Sequence, residues 1–91
     1  MTASELLDRP WDVSPGVSIR PEPFGALLYH FGTRRLSFLK DRQLLAVVEA
    51  LPGAATAREA CEQAGLTPEQ LPTYARALST LASTDMIQER P

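Results

Sequence analysis

The chain has 91 residues, 44% of them hydrophobic and 22% charged, with a formal net charge of −2. That is one small domain of ordinary globular composition, which excludes a disordered chain and a strong global attraction to nucleic acid or anionic lipid. The single cysteine, Cys61, cannot form an internal disulfide and suits a reducing cytoplasm; no signal peptide or membrane-spanning apolar run is present.

In chain order, residues 1–10 read as a flexible leader to a single domain. Trp11 follows, flanked by Pro10 and Asp12, and is expected to cap the core. Pro15-Gly16 marks a turn, and Val17 to Arg20 alternates like a short strand that Pro21 and Pro23 end or confine to an edge.

The most structured stretch is FGALLYHFGTRRLSFL, Phe24 to Leu39. It reads as two strands, residues 24–31 and 34–39, joined at Gly32-Thr33, where glycine suits a type II′ turn. In the first arm both alternate sets are largely apolar, so it is covered on both sides, or covered on one side and paired at its edge. In the second arm Leu36 and Phe38 share a face with Arg34, while Arg35 and Ser37 point the other way. The expectation is a strand with Leu36 and Phe38 on the core and a polar, basic outer face. At the edge of a sheet its free N–H and C=O groups could pair with another chain.

Helical periodicity starts at Asp41, with Leu44, Leu45, Val47, Val48 and Leu51 on one stripe and Pro52-Gly53 as the stop. Thr56 opens a second helix with Glu59 at capping-box spacing, and Gly65 ends it. Thr67 caps a third helix, with Pro68 at its first position and Leu71, Tyr74, Ala75, Leu78, Leu81 and Ala82 along one face. Met86 to Gln88 is expected to form a short closing strand.

TAREACEQAGLTPEQLPTYARAL has the outline of a helix-turn-helix. Its outward positions, Glu69, Gln70, Thr73, Arg76 and Thr80, offer one cation beside one carboxylate, a poor reader of phosphates or bases. Scaffold use is favoured over DNA reading. One histidine and one cysteine support no metal site, and no phosphate loop, nucleophile motif or carboxylate pair assigns catalysis. The cluster Arg34, Arg35, Lys40 and Arg42 is either a solvated strand end or a surface for an anionic partner.

The run RPEPFGALLYHFGTRRLSFLK with the three-helix tail resembles the mycofactocin biosynthesis chaperone (MftB) family, one of the PqqD-like peptide-recognition elements of ribosomally made, modified peptides. The resemblance runs from about Trp11 to the end. It implies an α+β fold, a winged helix-turn-helix with a three-stranded antiparallel sheet followed by three helices. It further implies a non-catalytic peptide chaperone without cofactor, in the cytoplasm, binding neither nucleic acid nor membrane. The leader of the mycofactocin precursor peptide would add as a strand beside the third strand and be presented to a radical SAM maturase. By element, the site then falls on Arg34, Arg35, Leu36, Ser37, Phe38 and Leu39, with a helical wall of Leu71, Tyr74, Leu78 and Leu81. Two expectations follow from this reading. Alanine at Leu36 or Phe38 destabilises the fold, and proline at Arg35 or Ser37 weakens peptide pairing. The competing reading is a small winged-helix DNA-binding regulator.

Overall fold

The computed structural model describes residues 1–91. Three strands, β2 (Val17–Glu22), β3 (Gly25–His30) and β4 (Arg35–Leu39), form an antiparallel sheet in the order β2-β3-β4. A short β1 (Trp11–Val13) pairs antiparallel with β5 (Ile87–Glu89), so the two ends of the domain meet. Four helices complete it: α1 (Ala3–Leu7), α2 (Arg42–Ala50), α3 (Ala57–Gln63) and α4 (Leu71–Ser83). The α+β class with a three-stranded antiparallel sheet followed by helices is therefore as expected.

The register decides which backbone groups stay free. Phe31 donates its N–H to the Gly16 carbonyl at 2.9 Å, so in the plane of the sheet Phe31 faces β2. Alternation then turns Tyr29 and Leu27 toward β2, and His30, Leu28 and Ala26 toward β4. Ser37 and Leu39, opposite Leu28 and Ala26, bond inward to β3; Leu36 and Phe38 turn their N–H and C=O groups away from the sheet. The same count turns Pro21 outward on β2, which is why β2 continues through it to Glu22 rather than ending there.

Side chains alternate in the other sense. Ala26, Leu28 and Leu39 lie on the core face and are fully buried. Leu36 and Phe38 lie on the outer face and are each 59% exposed. The expectation that Leu36 and Phe38 face the core is thus reversed. Leu36 lies opposite Tyr29 and Phe38 opposite Leu27, so the outer face is the aromatic one, and Leu39 and the half-buried Ser37 turn inward.

Both hairpins are held by specific local chemistry. Between β2 and β3 the chain turns at Pro23-Phe24 and enters β3 at Gly25, whose φ is +152°. A Cβ on Gly25 would stand 2.0 Å from the Leu39 carbonyl oxygen, so no other residue fits there without moving β4. The β3–β4 loop is not the expected two-residue II′ turn. His30 pairs with Arg35, leaving Phe31 to Arg34 as a four-residue loop in which Arg34, not Gly32, takes the positive φ of 61°. His30 stitches this loop: its Nδ1 accepts from the N–H groups of Gly32 at 3.0 Å and Thr33 at 3.2 Å.

Residues 1–10 are not a loose leader. Thr2 and Glu5 form a reciprocal capping box for α1, and Leu6 and Leu7 are buried in the main core. Trp11 caps that core as expected, 5% exposed, with its indole N–H donating to the Leu6 carbonyl at 2.9 Å. Asp8 pairs with Arg58, and Arg9 with Glu89. The expected closing strand is β5, pinned by Arg90, whose backbone N–H reaches Pro10 and whose guanidinium donates to the carbonyls of Leu51, Pro52 and Ala54.

The remaining helices begin where their caps are written. Asp41 accepts the Leu44 N–H at the start of α2, and Thr56 accepts the Glu59 N–H at the start of α3. Gly65, at φ 84°, ends α3 with bonds from Gly65 to Glu62 and from Leu66 to Cys61, the paired closure of a Schellman motif. Thr67 and Gln70 then box a single 3₁₀ turn, Pro68–Gln70, that feeds directly into α4. Val47, Val48, Leu51, Ala57, Cys61, Leu78 and Leu81 join Leu28 and Leu39 in one core, so the helices cover one face of the sheet only.

Candidate peptide-binding edge

β4 is an edge strand, with β3 on one side and no strand on the other. Its outward residues, Leu36 and Phe38, each present one free donor and one free acceptor. The opposite edge, β2, is blunted by Pro21, which has no N–H to offer. The two edges are therefore not equivalent. Only β4 offers donors as well as acceptors along an uninterrupted stretch.

Beside that edge runs a groove of about 380 Å³, lined by Ser37, Phe38, Leu39, Lys40, Leu44, Ala77, Thr80 and Leu81. One wall is β4 and the other is the flank of α4, with Leu44 of α2 as the floor. Most of the lining is apolar, so the groove suits uncharged side chains of a segment whose backbone lies along β4.

Of the ten residues expected to form the site, the structure brings four together here: Ser37, Phe38, Leu39 and Leu81. Leu36 stands next to them with its side chain on the outer face, and Arg34 and Arg35 are exposed at the hairpin end. The other three wall residues lie elsewhere. Leu78 is fully buried in the core, so it supports the wall from behind. Leu71 lines a different cleft, with Ala3, Leu7 and Ala75. Tyr74 is half-buried and commits its hydroxyl to Asp41 at 3.0 Å. Burial, with the Asp41 carboxylate beside it, pushes the Tyr74 phenol above its ordinary range.

Leu44, Ala77, Thr80 and Lys40 complete the groove and were missed. The signal was present: Ala77, Thr80, Leu81 and Thr84 repeat at helical spacing, one stripe round from Leu71, Tyr74 and Leu78. Choosing the most apolar stripe selects the core face of a helix, not the flank beside an open strand.

A family model for the peptide chaperone MftB family matches residues 10–88. The chain is 53% identical to the peptide chaperone MftB of Mycobacterium tuberculosis over 83 residues, 91% of this chain and 76% of that protein. It is 52% identical to the protein of that name from Mycobacterium ulcerans, over 88% of this chain and 73% of the relative. For the one from Mycolicibacterium smegmatis the figure is 48%, over 88% of this chain and 78% of the relative.

This chain belongs to the peptide chaperone MftB family.

No solved structure gives a significant match to it. The family and the relatives carry the name of a peptide chaperone. No three His, Cys, Asp or Glu side chains converge to hold a metal ion. Cys61 is fully buried, and burial pushes its thiol up to about 11, far from nucleophilic use at neutral pH. No helix is long and apolar enough to cross a membrane. In this MftB family member the basic residues at the hairpin end and after β4, namely Arg34, Arg35, Lys40 and Arg42, make no ion pair with the protein's own carboxylates.

Proposed function

We propose that this chain binds the leader of the mycofactocin precursor peptide as an added strand on β4, in the cytoplasm, and presents the rest of that peptide to a radical SAM maturase. The observation that carries the reading is the pairing of one open strand edge with one apolar groove. Leu36 and Phe38 supply the backbone partners, and Ser37, Leu39, Leu44, Ala77 and Leu81 receive alternate side chains. Each added backbone hydrogen bond contributes about 0.5–1.5 kcal/mol net. Each leucine-sized anchor in the groove adds about 1.5–3 kcal/mol. A few of each leave room for sub-micromolar affinity after the cost of ordering the guest. Iron–sulfur and radical chemistry belong to the maturase in this reading, since the chaperone contributes position alone.

Amide exchange followed by NMR during titration with the leader peptide tests it residue by residue. The Leu36 and Phe38 amides should gain protection, whereas Ser37 and Leu39 are bonded to β3 already. Unaltered exchange at Leu36 and Phe38 under saturating leader would remove the strand-addition reading. The regulator reading is weaker, because the exposed positions on and before α4 remain Glu69, Thr73, Arg76 and Thr80, with one cation against one carboxylate. Titration of duplex DNA at low salt should give no binding.

A further inference from the structure

The outer face of the β2–β3–β4 sheet carries a second apolar surface that no helix covers. Phe24 is 47% exposed, Phe31 66%, and Leu36 and Phe38 each 59%. Tyr29 and Leu27 fill the space between them: Tyr29 meets Phe31 edge-on at 4.9 Å, and Phe24 lies 6.4 Å from Phe38. These six side chains form one patch, because Tyr29 pairs with Leu36 and Leu27 with Phe38 across β3 and β4. Leaving four large apolar side chains in water on a 91-residue domain is costly for solubility, and such a patch marks a contact surface.

The charges around the patch say what kind of partner fits. Arg34 stands at its hairpin end, Lys40 and Arg42 at the far end of β4, and none of them has an ion-pair partner in the chain. Arg20 shares the row of Leu27 and Phe38, and its carboxylate neighbour Glu22 is already taken by it. A second copy packed face to face about a two-fold axis would set cations against cations. A partner with an apolar strip bordered by carboxylates would neutralise them.

We propose that this outer sheet face is a protein-docking surface, on the opposite side of β4 from the groove beside α4, and that its occupant is an acid-bordered apolar patch of the maturase. The partner's identity rests on the handover reading above; the surface itself does not. The two surfaces share Leu36 and Phe38, whose backbones face the edge and whose side chains face outward. A guest strand on β4 would therefore lie along the border of the docked enzyme, the position a handover needs.

The test uses the full chain with Phe24→Ser and Phe31→Ser combined, both exposed and neither lining the groove, with circular dichroism confirming the fold. Titrated without leader peptide, the maturase should bind this variant at least about tenfold more weakly than the wild type. Arg34→Glu should also weaken it, and wild-type binding should weaken with added salt. The leader peptide should bind the phenylalanine variant within about twofold of wild type, since neither residue lines the groove. Unchanged maturase affinity in the phenylalanine variant overturns the proposal. So does a wild-type dimer in sedimentation velocity that the variant abolishes, because the face would then be a self-interface. Because the maturase titration omits the leader, it stands whichever way the leader titration falls.

Discussion

Tyr74 donates its hydroxyl proton to Asp41 at 3.0 Å, and the other oxygen of that carboxylate caps the first turn of α2 at Leu44. One side chain thus ties the end of β4, the start of α2 and the first half of α4 together, just below the groove. Asp41→Ala should cost about 1–2 kcal/mol through the lost cap alone. Tyr74→Phe should cost about 0.5–1 kcal/mol, kept small by the solvent exposure of Asp41. In urea unfolding the double variant should cost less than the sum of the two, since both remove the same bond. The Tyr74 phenol is held above its ordinary value, so the folded state keeps the neutral form longer than the unfolded chain does. That stability is present below the ordinary tyrosine range and is lost as pH rises through the shifted one. Additive costs in the cycle would show that Tyr74 and Asp41 do not act as a pair.

Proline variants separate the free edge from the paired side of β4. Leu36→Pro removes an outward N–H and leaves the β3–β4 ladder intact; Ser37→Pro removes a ladder donor. Leu36→Pro should stay folded and bind the leader peptide at least about tenfold more weakly, a loss of about 1.4 kcal/mol. Ser37→Pro should unfold the hairpin. This places the informative proline at Leu36 or Phe38 instead of Arg35 or Ser37, where the outward N–H was first expected. Isothermal titration of Leu36→Pro that matches wild type would rule out pairing at this edge.

Alanine substitutions should rank in the order opposite to that expected from apolarity. Leu39 is 1% exposed on the core face, and Leu39→Ala should cost about 2–5 kcal/mol. Phe38→Ala, on the open face, should cost no more than about 0.5–1 kcal/mol. Denaturant midpoints for the two variants decide the matter, and a larger loss for Phe38→Ala would put the register in error.

The reversal on β4 shows where sequence reading stops. Caps are local, so Asp41, Thr56, Thr67 and Gly65 announced their roles in a few neighbouring residues. The short strand at Ile87 was legible for the same reason, while the edge position of β4 stayed conditional because it depends on which strands pair beyond the hairpin. Which face of the hairpin meets the core was not. Ala26 and Leu28 compete with Leu27 and Tyr29 on nearly equal terms, and the winner is set by the helices that cover one face. Leu36 and Phe38 looked like core residues because burial is the usual fate of a leucine and a phenylalanine. Here they are apolar and exposed, which is the signature of contact with something else. The α1 segment was illegible for another reason: five residues cannot hold a helix alone, and α1 exists because Leu6 and Leu7 dock into a core assembled from the whole chain.

Removal of residues 1–8 should therefore destabilise the domain, although these residues precede the stretch that matches the MftB family. Leu6 and Leu7 are each less than 5% exposed, and losing both should cost about 3–6 kcal/mol as an upper bound. Trp11 would lose its indole partner at Leu6 and become wetter, so its emission should shift to the red. A truncated chain with wild-type stability and unshifted emission would mean that α1 is not part of the core.

Cys61 supplies a clock for opening of the helical half. Its thiol, on α3, is fully buried in the core, and burial raises it from an ordinary value of 9.0 to about 11. Below about pH 8 it is protonated in both folded and unfolded states and contributes almost no pH dependence. Between about 9 and 11 the unfolded chain can release the proton and the folded one cannot, so stability should fall as pH rises through that window. At pH 8 an aromatic disulfide reagent should label Cys61 only as fast as the domain opens, with full labelling at once in denaturant. Saturating leader peptide should slow that labelling further, because occupancy of the groove braces α4 against β4. Rapid labelling of the native protein would show that α3 is not held by the core described here.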